Sequence, residues 1–129
     1  MKRKIGLAVI LLLLVGLCGC SKYVSSYKAI GFVHSNESTK AFMSFYEFEG
    51  RMVFTLKCDD ETSIDYNAEL KTGNCTVYYD SNGEKTMLFA LGAGDHINSS
   101  GGELTPGTVY IIVETDEKCM NGNLRFSLE

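Results

Sequence analysis

The stretch RMVFTLKC at residues 51–58 alternates without a break: Met52, Phe54, Leu56 and Cys58 fall on one parity, Arg51, Val53, Thr55 and Lys57 on the other. Only an extended strand, whose successive side chains point to opposite faces, turns that spacing into one apolar face. The next run repeats it with Ile64, Tyr66, Ala68 and Leu70. Helix is excluded on the same ground, because no run of ten or more residues keeps apolar positions at i, i+3, i+4 and i+7.

Turn chemistry punctuates these runs. Lys71-Thr72-Gly73 leads into NCTVYYD, which places Cys75, Val77 and Tyr79 inward, and Asp80-Ser81-Asn82-Gly83 supplies the next turn, its Asn-Gly suited to positive φ. KTMLFALG follows as a strand apolar on both faces. Thr105-Pro106-Gly107 opens TVYIIVE, with Val109, Ile111 and Val113 facing in, and after Asn121-Gly122 the chain closes with Leu124, Phe126 and Leu128 inward. Upstream, KAIGFVHS and KAFMSFYEFEG read as two further strands. About eight short strands with regular turns predict an all-β, antiparallel β-sandwich of the jelly-roll kind.

The first 22 residues read differently. Met1-Lys2-Arg3-Lys4 precedes an apolar run from Ile5 to Leu17, whose 13 residues would reach roughly 20 Å as a helix, short of the ~30 Å hydrocarbon core of a bilayer. A basic start, a short apolar core and small residues near its end match a secretory signal peptide. Leu17-Cys18-Gly19-Cys20 then resembles the lipobox of bacterial lipoproteins. That resemblance implies diacylglyceryl transfer to the Cys20 thiol, cleavage before it, and a lipidated N-terminus. The alternative leaves Cys18 and Cys20 as residues of an uncleaved anchor. A redox pair is disfavoured, because the spacing is Cys-x-Cys on an apolar stretch with no cation to lower a thiol pKa. The expected organisation is a removed leader over 1–19, the lipidated Cys20 with a short tether over 20–27, and one domain over 28–129, held on the extracytoplasmic face of a cell membrane. Each buried methylene of the acyl chains adds ~0.8 kcal/mol to such an anchor.

Removal of the leader leaves nine Lys and Arg against sixteen Asp and Glu, a net charge of −7 on the mature chain. Nucleic acid and anionic lipid head groups are therefore disfavoured as partners. With Cys20 lipidated, Cys58, Cys75 and Cys119 remain, an odd set that makes no disulfide framework and lacks partners at metal-ligand spacing. Small buried apolar side chains account for them. If one bridge forms, jelly-roll order favours Cys75 with Cys119 and places Cys58 at the opposite end of that sheet.

The series Tyr46-x-Phe48-x-Gly50, Ile64-Asp65-Tyr66, Gly73 with the Val77 strand, residues 80–83, Pro106-Gly107-Thr108 and Asn121-Gly122-Asn123-Leu124 is similar to small bacterial lipoproteins of unknown function. It also resembles the β-sandwich modules found behind secreted peptidases and in carbohydrate-binding jelly rolls. The resemblance implies a fold and brings no catalytic residues to carry over; from the residues themselves, no metal and no cofactor are expected. The function it leads to is a membrane-anchored envelope lipoprotein whose non-catalytic sandwich serves protein contact or envelope structure. A glycan-binding module is the alternative, and a hydrolase comes third. The absence of Trp, the usual platform for sugar rings, weighs against glycan, although Tyr can serve.

Local clusters are explained as turns. Asp59-Asp60-Glu61 with Asp65 nearby could gather Ca²⁺ oxygens, but such a cluster suits a solvated hairpin turn. Asp80-x-Asn82-Gly83 resembles the start of a Ca²⁺ loop, yet the twelfth residue from Asp80 is Leu91, not Glu. His34 and His96 belong to no nucleophile or zinc motif. One feature stands out. Val53, Tyr78, Tyr110, Ile112 and either Leu88 or Ala90 lie out of phase with the inward sets, so they are expected on the outer face of one sheet as a candidate binding face. Monomers seldom leave such a patch bare. Either a ligand binds there, or the segment holding Ile30, Phe32 and Val33 folds over it.

Overall fold

The computed structural model describes residues 22–128, so the leader and Cys20 lie outside the described residues. The fold is all-β. Its strands are β1 (Ser26–Ile30), β2 (Val33–Asn36), β3 (Lys40–Cys58), β4 (Thr62–Thr72), β5 (Cys75–Asp80), β6 (Thr86–Leu91), β7 (Asp95–Leu104), β8 (Gly107–Glu114) and β9 (Cys119–Leu128). Every pairing is antiparallel. The order β6-β5-β8-β3-β9-β4-β7, with β1 and β2 on the free edge of β3, is consistent with a jelly-roll-like sandwich that curls toward a barrel.

β3 belongs to both sheets. Its first half pairs with β9 and its second half with β8. The sequence reads as two strands here because the buried positions change parity, from Ala41, Met43 and Phe45 to Phe48, Met52, Phe54, Leu56 and Cys58. The backbone nevertheless continues through Gly50, at φ 127°. A Cβ there would strike the Ser26 carbonyl oxygen and the Tyr27 Cα. Thr115 holds the bend: its Oγ1 accepts the Gly50 N–H at 2.8 Å, and its own N–H donates to the Gly50 carbonyl at 2.9 Å. Conversely, the single strand expected over KAIGFVHS breaks at Gly31 (φ 61°) into β1 and β2. β1 starts at Ser26, two residues before the expected domain boundary.

Between the sheets, the inward sets of β3, β4, β5, β8 and β9 are buried as their alternation requires, with Tyr79 and Leu128 only partly so. Aromatic rings bridge the layers: Tyr66 stacks on Phe89 at 4.5 Å, and Phe89 and Phe54 each meet Phe126 at 6.2 Å. Such pairs add about 0.5 to 1.5 kcal/mol beyond the burial of the rings themselves. β7 has no counterpart among the expected strands. Its sequence, DHINSSGGEL, carries little apolar alternation, and it forms an edge paired to β4.

Candidate binding faces

The apolar row expected on the outer face exists in register. Val53 lies opposite Ile112, and Ile112 opposite Tyr78, while Tyr110 lies opposite both Thr55 and Asp80. Ala90, paired with Thr76, extends this face, whereas Leu88 packs toward the core. The bulge between Val77 and Tyr78 also brings Met87 opposite Tyr78.

The row is not bare. Ile112 is fully buried, contrary to its expected exposure, and Val53, Tyr78 and Tyr110 are half-buried. The contacts that reach it come from Tyr23, Ser25 and Lys85, with Ile30 and Val33 exposed to solvent. The Tyr23 ring meets Tyr110 edge-on at 5.3 Å, and Ser25 Oγ accepts the Val53 N–H at 2.8 Å. Phe32 packs instead on Tyr27, His34 and Phe48.

Asp80 anchors the N-terminal contacts. Its Oδ2 accepts the Tyr23 hydroxyl at 2.6 Å and the Lys22 ammonium at 3.0 Å, and its Oδ1 accepts the Gly83 N–H at 2.7 Å. Lys22 also donates to the Gly83 carbonyl at 2.9 Å. Burial pushes the Asp80 carboxyl up, but the bonds from Tyr23, Lys22 and Gly83 outweigh it and leave the pKa below its ordinary value. Burial first, then the bond to Asp80, lifts Tyr23 to about 12. At the far end of the same face, Lys85 sits 4.4 Å over the Tyr78 ring, and Lys85 and Arg51 each donate to Glu114 Oε2 at 2.9 Å. Residues 80–83 are thus a turn locked by Asp80, as their sequence suggests.

The outer face of the other sheet is open. There Ser35, Phe42, Arg125, Asn67 and Asn98 stand opposite one another across β2, β3, β9, β4 and β7. A second row carries Lys40, Ser127 and Asp65. Together with Glu37 these side chains line a groove of about 440 Å³, within the usual range of ligand sites. The Arg125 guanidinium lies 4.8 Å from the Phe42 ring centroid, and His96 Nε2 is 3.1 Å from Asn67 Oδ1. Sequence reading missed this groove. The outward positions of β4 and β9 are legible as the complement of Ile64, Tyr66, Ala68, Leu124 and Phe126, but their meeting depends on strand order and on β7.

Elsewhere, Cys58, Cys75 and Cys119 are buried free thiols. Cys119 Sγ donates to the Asn74 carbonyl at 3.1 Å, and Cys58 Sγ to the Asp60 carbonyl at 2.7 Å. Burial, with Cys119 close by, lifts Cys75 to about 12. Residues 59–61 form the exposed turn between β3 and β4. Among the described residues, no group of three or more His, Cys, Asp or Glu is placed to hold a metal ion, and no helix is long and apolar enough to cross a membrane.

No family model and no curated protein matches the chain. Solved structures similar to it include the pre-peptidase C-terminal domain of a collagenase from Bacillus anthracis, 16% identical, covering 74% of this chain and 91% of that one at a TM-score of 0.48. Another is a CBM4 structure, 14% identical over 89% of this chain and 83% of that one, with a TM-score of 0.39. A third is the C-terminal CBM6 of a marine laminarinase from Zobellia galactanivorans, 11% identical over 81% and 99%, with a TM-score of 0.40. At these scores the likenesses carry nothing about what this chain binds.

Proposed function

We propose that the chain is a lipid-anchored lipoprotein of the bacterial cell envelope, whose sandwich is a non-catalytic binding module. One observation carries this reading: the two outer faces have opposite roles. Residues 22–25 dock at Tyr110, Val53 and Asp80, while the face of Phe42, Asn67 and Arg125 stays open. Lipidation at Cys20 would then attach the membrane on the docked side. Two residues span at most about 7 Å, so the turn of residues 80–83 would ride at the head groups and the groove would face away. The apolar row, expected to meet either a ligand or a cover from the chain, carries Tyr23 of the chain against Tyr110, and ligand contact is assigned to the groove instead. The groove is shallow and open to water, as suits recognition better than a reaction that must exclude solvent.

Cys20→Ala tests the anchor. Labelling with a palmitate analogue and fractionation of cells should show loss of label, an uncleaved precursor and no mature membrane-bound form. Undiminished label in the variant would sink the lipoprotein reading.

A further inference from the structure

We infer that the groove across β2, β3, β9, β4 and β7 is a binding site for a neutral glycan, an inference that rests on the binding-module reading. Charge comes first. Arg125 and Lys40 are balanced by Asp65 and Glu37, so the groove presents no net field to select an anion, a cation or a nucleic acid strand. What it presents instead is dense, two-way hydrogen bonding. Asn67 and Asn98 each carry donors and an acceptor, Arg125 only donors, Asp65 only acceptors. Hydroxyl groups, which both give and accept, are the ligand chemistry that can answer all of them at once.

Spacing supports the same class. Neighbouring strands stand ~4.8 Å apart, so the row from Ser35 to Asn98 offers a side chain at that interval across five strands, a step comparable to the width of a sugar ring. Two members of the row already have a side-chain partner before any ligand arrives. Arg125 lies over the Phe42 ring, lines the groove and, among the described residues, makes no ion pair, so its N–H donors are not committed to a carboxylate. Asn67 is fixed through His96. Preorganisation of this kind lowers the ordering cost of binding.

A peptide partner fits less well. The backbone groups of β3, β9 and β4 beneath the groove are spent in ladders on both sides, so an extended peptide lying in the groove finds none of them free and could add only beside it, at β2 or β7. Phe42, the one ring at the surface of the row, is already covered by Arg125.

Saturation-transfer NMR on the full chain in dodecylphosphocholine micelles, a detergent free of sugar, tests this. The probes are cellohexaose, maltohexaose, laminarihexaose and chitohexaose, with a heparin hexasaccharide as the anionic comparison. At least one neutral hexasaccharide should receive saturation. Asn67→Ala and Arg125→Ala should each weaken its binding about tenfold, the loss expected for one hydrogen bond to a charged or bidentate group. Met87→Ala, on the opposite sheet, should leave it unchanged, and circular dichroism should show both groove variants folded. Transfer to heparin alone, or transfer undiminished in both groove variants, overturns the inference. If no hexasaccharide is bound but a photo-crosslinker at Ser35 captures an envelope protein in cells, the glycan is overturned and the binding module stands. Shortening of any hexasaccharide in the sample would overturn the non-catalytic reading itself.

Discussion

The Asn36 carboxamide does for Thr55 what a neighbouring strand would do: Nδ2 donates to the Thr55 carbonyl at 2.8 Å, and Oδ1 accepts the Thr55 N–H at 2.9 Å. Two positions on either side, the Val53 N–H is met by Ser25 Oγ and the Lys57 N–H by the Ser38 carbonyl. The free edge of β3 is thereby closed without another strand, which removes a template for edge-to-edge association. Asn36→Ala should lower stability by about 1 to 2 kcal/mol, since both groups of an exposed pair can return to water. Urea unfolding measures it, and size exclusion should show new association through the opened edge.

The pH dependence of the docked N-terminus has two limbs. Asp80 has a depressed pKa, so its contribution is present above its ordinary unfolded value near 4 and is lost as pH falls through the lower folded value. Tyr23 is raised to about 12, so its contribution is present below its unfolded value near 10 and is lost as pH rises toward 12. Unfolding midpoints measured against pH should fall at both ends. Asp80→Asn should flatten the acid limb and Tyr23→Phe the alkaline one; an acid limb unchanged in Asp80→Asn would show that other carboxyls carry it.

Tyr78→Ala with Tyr110→Ala separates a structural face from a ligand face. Both rings are half-buried, one under Lys85 and one against Tyr23. The pair should therefore cost about 3 kcal/mol or more, although each ring contributes less than the ~3 to 5 kcal/mol of a fully buried aromatic. An unchanged urea midpoint would return this face to the status of a binding surface.

Cys75 should be inert while the chain is folded. With its thiol at about 12, only roughly one molecule in ten thousand carries the thiolate at pH 8, and burial blocks access to it. Ellman's reagent should react slowly with native protein and quickly with Cys58, Cys75 and Cys119 in guanidinium. Fast native reaction, or a mass two hydrogens short of the free-thiol chain, would contradict the buried thiols.

Strand existence was legible wherever one face is apolar, as at Met52, Phe54, Leu56 and Cys58, because alternation is a property of neighbours in sequence. Ile112 shows where that reasoning stops. Its parity places it on the outer face, yet it is fully buried there, and the neighbouring Tyr110 is met by Tyr23, which returns from 87 positions away. The groove fails for a related reason: Asn67, Arg125 and Asn98 meet only through the β9-β4-β7 order, and β7 carries its ladder on Asn, Ser and Gly without an apolar rhythm.

The single strand that runs through both sheets has a consequence for how the domain comes apart. Residues 40–48 of β3 are stitched to β9 and residues 51–58 to β8, with Gly50 as the joint. Pulling either sheet open drags the shared strand out of the other, so there is no seam along which half the domain can open alone. Slowest-exchanging amides should therefore appear on both sides of Gly50 with one common opening free energy, the mark of a single cooperative unit.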